Sequence, residues 1–401
     1  MNSSRTAVLT VMCVGYFLVL LDVTVLNVAA PAIGAGLDVG VGGLQWIVNG
    51  YALALAALLV VGGALGDAYG HRRVVVVGLT LFGAASAGCG LAPTVGVLVA
   101  ARVLQGVGAA LLLPGTLAII TRTFPEPDAQ ARAIGVWAGV GSVALPAGPL
   151  LGGVLVQALS WRSVFLINVP IVLVAALVAV RTVRTDRTEG GGPDLVGRGR
   201  AVLGLLRRPA FGVAKAVAGA MNFGSLGLLF LLTLFLQVVQ QRPATAAGVA
   251  VLPLFLPLVV LAPLAGRATA RWGPRPTMLV GLGIAAAGVG LLAGWTAATP
   301  YVELLPAMLA WGIGLGVLTP AVVAAAFAAA PPRHAGLASG VNNTARQAGG
   351  VAGIALFGWI AGPPEDASRF AAGLHVAGLT TAALFVVAAL AAAIAVPAGR
   401  R

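Results

Sequence analysis

Leu21-Asp22-Val23-Thr24-Val25-Leu26-Asn27 is the stretch that decides how this chain folds. It lies in an apolar run over residues 7–30, and a bilayer-crossing helix needs about 20 such residues. A carboxylate at mid-helix in a membrane costs at least ~2.5–3.5 kcal/mol on insertion scales, so Asp22 needs a partner or a task. It is the only acidic residue well inside any apolar run of the sequence. Two readings follow: a folding pair with an arginine, or proton or cation handling.

Outward from that stretch, the whole chain is apolar. Of its 401 residues 59% are hydrophobic and 9% charged, against about 25% charged in soluble domains. Long unbroken runs, rather than short alternating segments, exclude a transmembrane barrel. The first run is too long for a signal peptide and lacks a cleavage site, so it is expected to be the first span. Cys13 and Cys89 both fall in apolar runs and read as small core residues.

The runs predict an all-α membrane protein of twelve transmembrane helices. The first half gives 7–30, 44–66, 74–92, 96–121, 133–158 and 163–181; the second gives 210–238, 246–266, 277–296, 302–327, 337–361 and 370–397. The expected organisation is an N-terminal six-helix bundle over 1–181, a cytoplasmic linker over 182–209 and a C-terminal six-helix bundle over 210–401. The linker contains Glu189-Gly190-Gly191-Gly192-Pro193. Its end interleaves Leu and Val with Arg198, Arg200, Arg207 and Arg208, which suits either a basic helix on the membrane surface or a solvated loop.

The net charge of +13 would suggest nucleic acid in a soluble chain; here it follows topology. With both termini cytoplasmic, only Arg162, Arg242 and Arg369 fall in outer loops, and every other arginine outside the spans is inside. No nucleic-acid partner is expected. Of 24 basic residues only Lys215 is a lysine; together with abundant Ala, Val, Gly and Pro this points to a GC-rich bacterial genome. Lys215 lies near the inner end of span 7 and is expected to snorkel.

The halves repeat. Gly63, Asp67, Gly70, Arg72 and Arg73 follow span 2; Gly266, Ala270, Gly273 and Arg275 follow span 8 at the same spacing. Gly106, Gly108 and Pro114 in span 4 match Gly312, Gly314 and Pro320 in span 10. Two such halves predict an alternating-access transporter with its site between them. The loop after span 2 reads either as an anchor or as a charge-and-helix-end lock that breaks and reforms.

Arg102 and Gln105 share one face of span 4. Arg102 lies roughly 9 Å and Asp22 roughly 12 Å below the outer ends of their spans at 1.5 Å per residue. An ion pair at this depth favours the carboxylate, and its rupture favours the protonated acid. Span 5 carries Pro146, Gly148, Pro149 and Gly152, which predicts a bent helix with a small-residue packing face. In span 11, Asn342, Asn343 and Arg346 should face protein or a cavity.

Taken together these stretches resemble the major facilitator superfamily, in particular its drug:proton antiporters usually built with fourteen spans. The resemblance covers Leu21 to Pro31, Gly63 to Arg73, Arg102 to Gly108, Gly148 to Gly153, Trp161 to Pro170 and Ser339 to Gly350. The branch's two extra central helices are absent, leaving twelve. The resemblance implies proton-coupled export of a hydrophobic or cationic small molecule, with no cofactor beyond the proton gradient. It implies Asp22 as proton acceptor, Arg102 as its modulator and span 5 as a conformational element. Candidate substrate contacts are Asn27, Trp46, Asn49, Tyr51, Gln105, Trp137, Met221, Asn222, Phe223, Gln237, Trp311, Asn342 and Arg346. The expected setting is the bacterial cytoplasmic membrane, as a monomer. The alternatives are a proton-coupled uptake symporter and a non-transporting receptor or scaffold. No nucleophile–base set, metal cluster or phosphate loop points to an enzyme.

Overall fold

A computed structural model describes residues 3–183, 195–331 and 335–397. Among them every regular element is helical. The N-terminal elements are α1 (Ser3–Leu37), α2 (Val41–Tyr69), α3 (His71–Gly90), α4 (Val95–Thr123), α5 (Pro127–Ala158), α6 (Ser163–Leu166), α7 (Asn168–Thr182) and α8 (Leu195–Leu206). There follow α9 (Pro209–Leu234), α10 (Ala244–Ala250), α11 (Leu252–Trp272), α12 (Pro274–Gly290), α13 (Tyr301–Ala329), α14 (Ala335–Ala361) and α15 (Ala367–Ala395).

Among the described residues, eleven helical stretches are long and apolar enough to cross a membrane. The remaining expected span is α14, with 27 residues. Asn342, Asn343, Arg346 and Gln347 lower its hydropathy, so it is long enough but not apolar enough to count with the others. Two spans are divided where proline removes a backbone donor. Pro170 stands just after the α6–α7 break and Pro253 just after the α10–α11 break. The expected disruption of span 5 takes a milder form: α5 runs as one helix through Pro146 and Pro149. Span 7 ends in a π-helical turn, Phe235–Val239.

Chain contacts divide the protein into two units, residues 1–39 with 46–197 and residues 40–45 with 198–401. In the first, α1 packs on α5 and α4, and α3 packs on α4 and α7. In the second, α9 packs on α14 and α13, and α12 packs on α13 and α15. The sequence repeat is thus a packing repeat. A Cβ on Gly78 would lie 2.9 Å from the Gly108 carbonyl, and one on Gly281 2.9 Å from the Gly314 carbonyl. A Cβ on Gly106 would collide with the Tyr51 carbonyl, and one on Gly312 with the Leu254 carbonyl. Gly70 and Gly273, paired by the repeat, have φ of 91° and 85° and start α3 and α12. Only glycine adopts that backbone cheaply.

Most of the linker, including Arg184, Arg187 and the Glu189–Pro193 glycine run, lies outside the described residues, as do Arg333, Arg400 and Arg401. The linker's end forms α8. Its Leu205 joins Phe211, Ala326, Ala338 and Val341 in a small buried cluster of the second unit. Asp366 caps α15, accepting from the Arg369 backbone N–H at 3.1 Å; that bond and the Ser368 hydroxyl hold its carboxyl below the usual range.

Candidate functional site

Asp22 and Arg102, each 1% exposed, meet in the interior of the first unit. Arg102 lies on the second turn of α4, where Thr94 caps the helix. Its Nη1 donates to Asp22 Oδ2 and, at 2.7 Å, to Gln105 Oε1. Its Nε donates to the Ile47 carbonyl at 3.1 Å. Gln105 returns a bond, Nε2 donating to Asp22 Oδ1 at 2.9 Å and to Ser86 Oγ at 3.0 Å. Asn168 Nδ2 donates to the same Ser86 oxygen at 3.5 Å. The guanidinium carbon stands 4.4 Å from the Tyr51 ring centroid and 5.8 Å from that of Phe165. The Tyr51 hydroxyl donates to the Val19 carbonyl at 3.2 Å.

Five spans therefore supply one polar cluster in an apolar interior. Both carboxylate oxygens accept from neighbours, so the anion is solvated by protein. Buried pairs of this kind hold together only when the remaining donors and acceptors are satisfied, and Gln105 does that for both partners. Withdrawing Arg102 would leave a desolvated carboxylate, for which a proton is the simplest neutraliser. The sequence indicated Asp22, Arg102 and Gln105 by charge and helix face. It did not indicate Ser86 or Asn168, whose only signal was a polar residue inside an apolar run.

The glycines of α5 bear directly on α1 beside Asp22. A Cβ on Gly148 would collide with Thr24 Oγ1 and lie 2.9 Å from the Val25 nitrogen; one on Gly152 would lie 2.9 Å from the Val25 carbonyl. Gly148→Ala should therefore cost about 1–3 kcal/mol through overpacking and lower proton-driven transport. Thermal unfolding of the purified protein and flux in vesicles measure both effects. Adding Thr24→Ala should recover part of the stability, because it removes the first colliding atom. No recovery would place the conflict on the α1 backbone instead.

In the loop between α2 and α3, Asp67 pairs with buried His71 at 3.0 Å. Arg72 donates to the Val180 carbonyl at the end of α7. Gly63 is half-buried and Arg73 exposed. Sequence reasoning passed over His71, although its i,i+4 spacing from Asp67 was a usable signal.

The proposed substrate contacts divide into several groups. Tyr51 and Gln105 belong to the Asp22 cluster. Asn27 and Asn49 are buried nearby on α1 and α2; Asn27 Nδ2 donates to the Val23 carbonyl at 3.0 Å, and its Oδ1 has no partner. Trp137 stacks on Tyr16 with centroids 3.9 Å apart, whereas Trp46 is 63% exposed. In the second unit, Arg346 Nε donates to Asn222 Oδ1 at 3.2 Å. Met221 accepts from Thr319 Oγ1 at 3.8 Å. Phe223 meets Phe357 edge-on at 5.0 Å, Gln237 is half-buried on the π-helical turn, and Trp311 is fully enclosed. Lys215 corrects an expectation. It does not snorkel: it is 4% exposed and donates to Asn342 Oδ1 at 2.6 Å. Among the described residues no group of three His, Cys, Asp or Glu could hold a metal.

Residues 12–354 match the family model of the Major Facilitator Superfamily. The methylenomycin A resistance protein of Streptomyces coelicolor is 31% identical, over 89% of this chain and 86% of its own. The tetracenomycin C resistance and export protein of Streptomyces glaucescens is 34% identical, over 87% of this chain and 74% of its own. Among solved structures, a bacterial homolog of the human lysosomal transporter Spinster, inward-facing and unoccupied, gives a TM-score of 0.80. It is 19% identical and covers 98% of this chain and 97% of its own. At that identity the likeness is one of fold.

Proposed function

This chain belongs to the major facilitator superfamily, and we propose that it is a proton-coupled efflux antiporter for hydrophobic or cationic small molecules, antibiotics among them. It is a multi-pass membrane transporter, not an enzyme. The observation that carries the coupling is the buried Asp22–Arg102 pair, bridged by Gln105. In one phase of the cycle Arg102 and Gln105 hold the Asp22 carboxylate. When the Arg102 contact opens, the carboxylate takes a proton from the acidic side; when it closes, the proton leaves on the other side. Alternating access ties this exchange to the export of one substrate. The proton gradient is the only energy source, so no cofactor enters. The names of the two relatives favour export over uptake. We place the protein in the bacterial cytoplasmic membrane with both termini cytoplasmic, working as a monomer.

The test is flux in proteoliposomes of known orientation, with an imposed pH gradient and a fluorescent lipophilic cation. The expected result is gradient-dependent extrusion that stops when an ionophore collapses the gradient. Uptake in place of extrusion would make the protein a symporter. Absence of flux across a broad substrate panel would return the scaffold reading.

A further inference from the structure

The second unit contains a cationic cluster that the Asp22 chemistry does not use. Lys215 on α9 donates to Asn342 on α14, and Arg346 on α14 donates to Asn222 on α9. Each cation is thus held by an asparagine of the other helix. The geometry follows from the helix crossing. A Cβ on Gly219 would lie 3.3 Å from the Ala345 carbonyl, and one on Gly349 would lie 2.7 Å from the Gly219 carbonyl carbon. Lys215 and Asn222 flank Gly219 along α9, and Asn342 and Arg346 stand one turn apart on α14, so all four groups lie on the facing stripes.

No acid accompanies them. Residues 198–401 contain only Glu303, Glu365 and Asp366 as acids. Glu303 is in the first turn of α13, whereas α9 begins beside the far end of that helix, where Arg208 donates to the Ala329 carbonyl at 3.2 Å. The helix between them is roughly 40 Å long at 1.5 Å per residue. Glu365 and Asp366 are in the turn before α15. Two cations inside membrane spans are expensive without a counter-charge. An ammonium has three donors, and Asn342 accepts from one of those of Lys215. The surroundings are apolar: the Lys215 nitrogen stands 5.1 Å from the Phe211 ring centroid, and Met221 is buried one residue from Asn222.

From this juxtaposition we infer that Lys215 and Arg346, positioned by Asn342 and Asn222, form a binding site for the anionic group of an amphipathic substrate, a carboxylate on an apolar body. This rests on the efflux reading and narrows it, adding hydrophobic carboxylates to the substrates exported. The carboxylate supplies the missing counter-charge and accepts from the free ammonium donors, while its apolar body replaces lipid contacts on the α9 and α14 faces.

The experiment measures binding to the purified full chain by titration calorimetry, using three probes of one shape: 1-pyrenebutanoate, its methyl ester and 1-pyrenebutylammonium. Wild type should bind the carboxylate at least about tenfold more tightly than the ester, as charge-assisted hydrogen bonds dictate, and the ammonium weakest of the three. Lys215→Met should erase the preference, and Lys215→Arg should keep most of it. Equal affinity of wild type for carboxylate and ester overturns the proposal without recourse to any variant. So does a preference that survives in a folded Lys215→Met protein. If Lys215→Met does not fold, Arg346→Gln takes its place with the same expectation. Flux of the three probes under a pH gradient separates the two readings. Export of the ester without carboxylate preference upholds efflux and overturns this site. Carboxylate preference in binding with no driven flux of any probe upholds the site and overturns efflux.

Discussion

Asp22→Asn should reduce pH-driven export to the background of protein-free vesicles while the protein still inserts, purifies and binds substrate within a few-fold of wild type. The amide has nearly the shape of the carboxylate and can still accept from Arg102 and Gln105, which hold the two carboxylate oxygens now. It cannot take and release a proton across the working pH range. No other acid is available to assume the task among those the sequence places inside apolar runs, so loss of coupling should be nearly complete. Downhill movement of substrate, which needs no proton, should survive in part. Paired assays read the split: drug sensitivity of an expressing strain and gradient-driven flux in vesicles, against equilibrium binding and thermal unfolding. Full driven export by a folded Asp22→Asn protein would remove Asp22 from the coupling. Loss of flux together with loss of fold would show only that the pair is a brace.

The sequence displayed those features whose physical cost is local. Apolar runs of span length announced the helices because every backbone donor must be satisfied inside the segment in lipid. Gly70 and Gly273 announced two turns, and both have the positive φ their type permits. Asp22 and Arg102 stood out because a charge in a span is dear wherever it lies, and their depths followed from residue counts. The partners were less legible. Ser86 and Asn168 look like ordinary small polar residues of packed membrane helices; only the rotation of α3 and α7 brings them together beneath Gln105. Lys215 was misread for the same reason. From its own helix, a lysine six residues after Pro209 can reach the interface. Asn342, which captures it instead, is 127 positions away in sequence, and nothing local to α9 predicts that encounter. The low hydropathy of α14 belongs to the same account, since its asparagines and Arg346 are tolerable only because α9 receives them.

Arg102→Met should be the most destabilising single substitution in the first unit, by about 3–5 kcal/mol, since it leaves an uncompensated charge in an apolar interior. Arg102 satisfies three groups at once: Asp22, Gln105 and the Ile47 carbonyl. Methionine fills the space between Tyr51 and Phe165 but donates to none of them. Arg102→Lys keeps the charge, yet one ammonium on a flexible stem does not reproduce the planar fork that meets all three, so it should fall between wild type and Arg102→Met. The decisive comparison is the pair of changes together. In Arg102→Met with Asp22→Asn the stranded charge is gone, and the double variant should be more stable than Arg102→Met alone by at least about 1 kcal/mol, within the range of coupling for residues in contact. Thermal unfolding of the four proteins in one detergent gives the cycle. A double variant no more stable than Arg102→Met would mean that the loss comes from packing against the two rings. In that event the ion pair contributes little to the fold, and its retention at the centre of five spans has to be credited to transport.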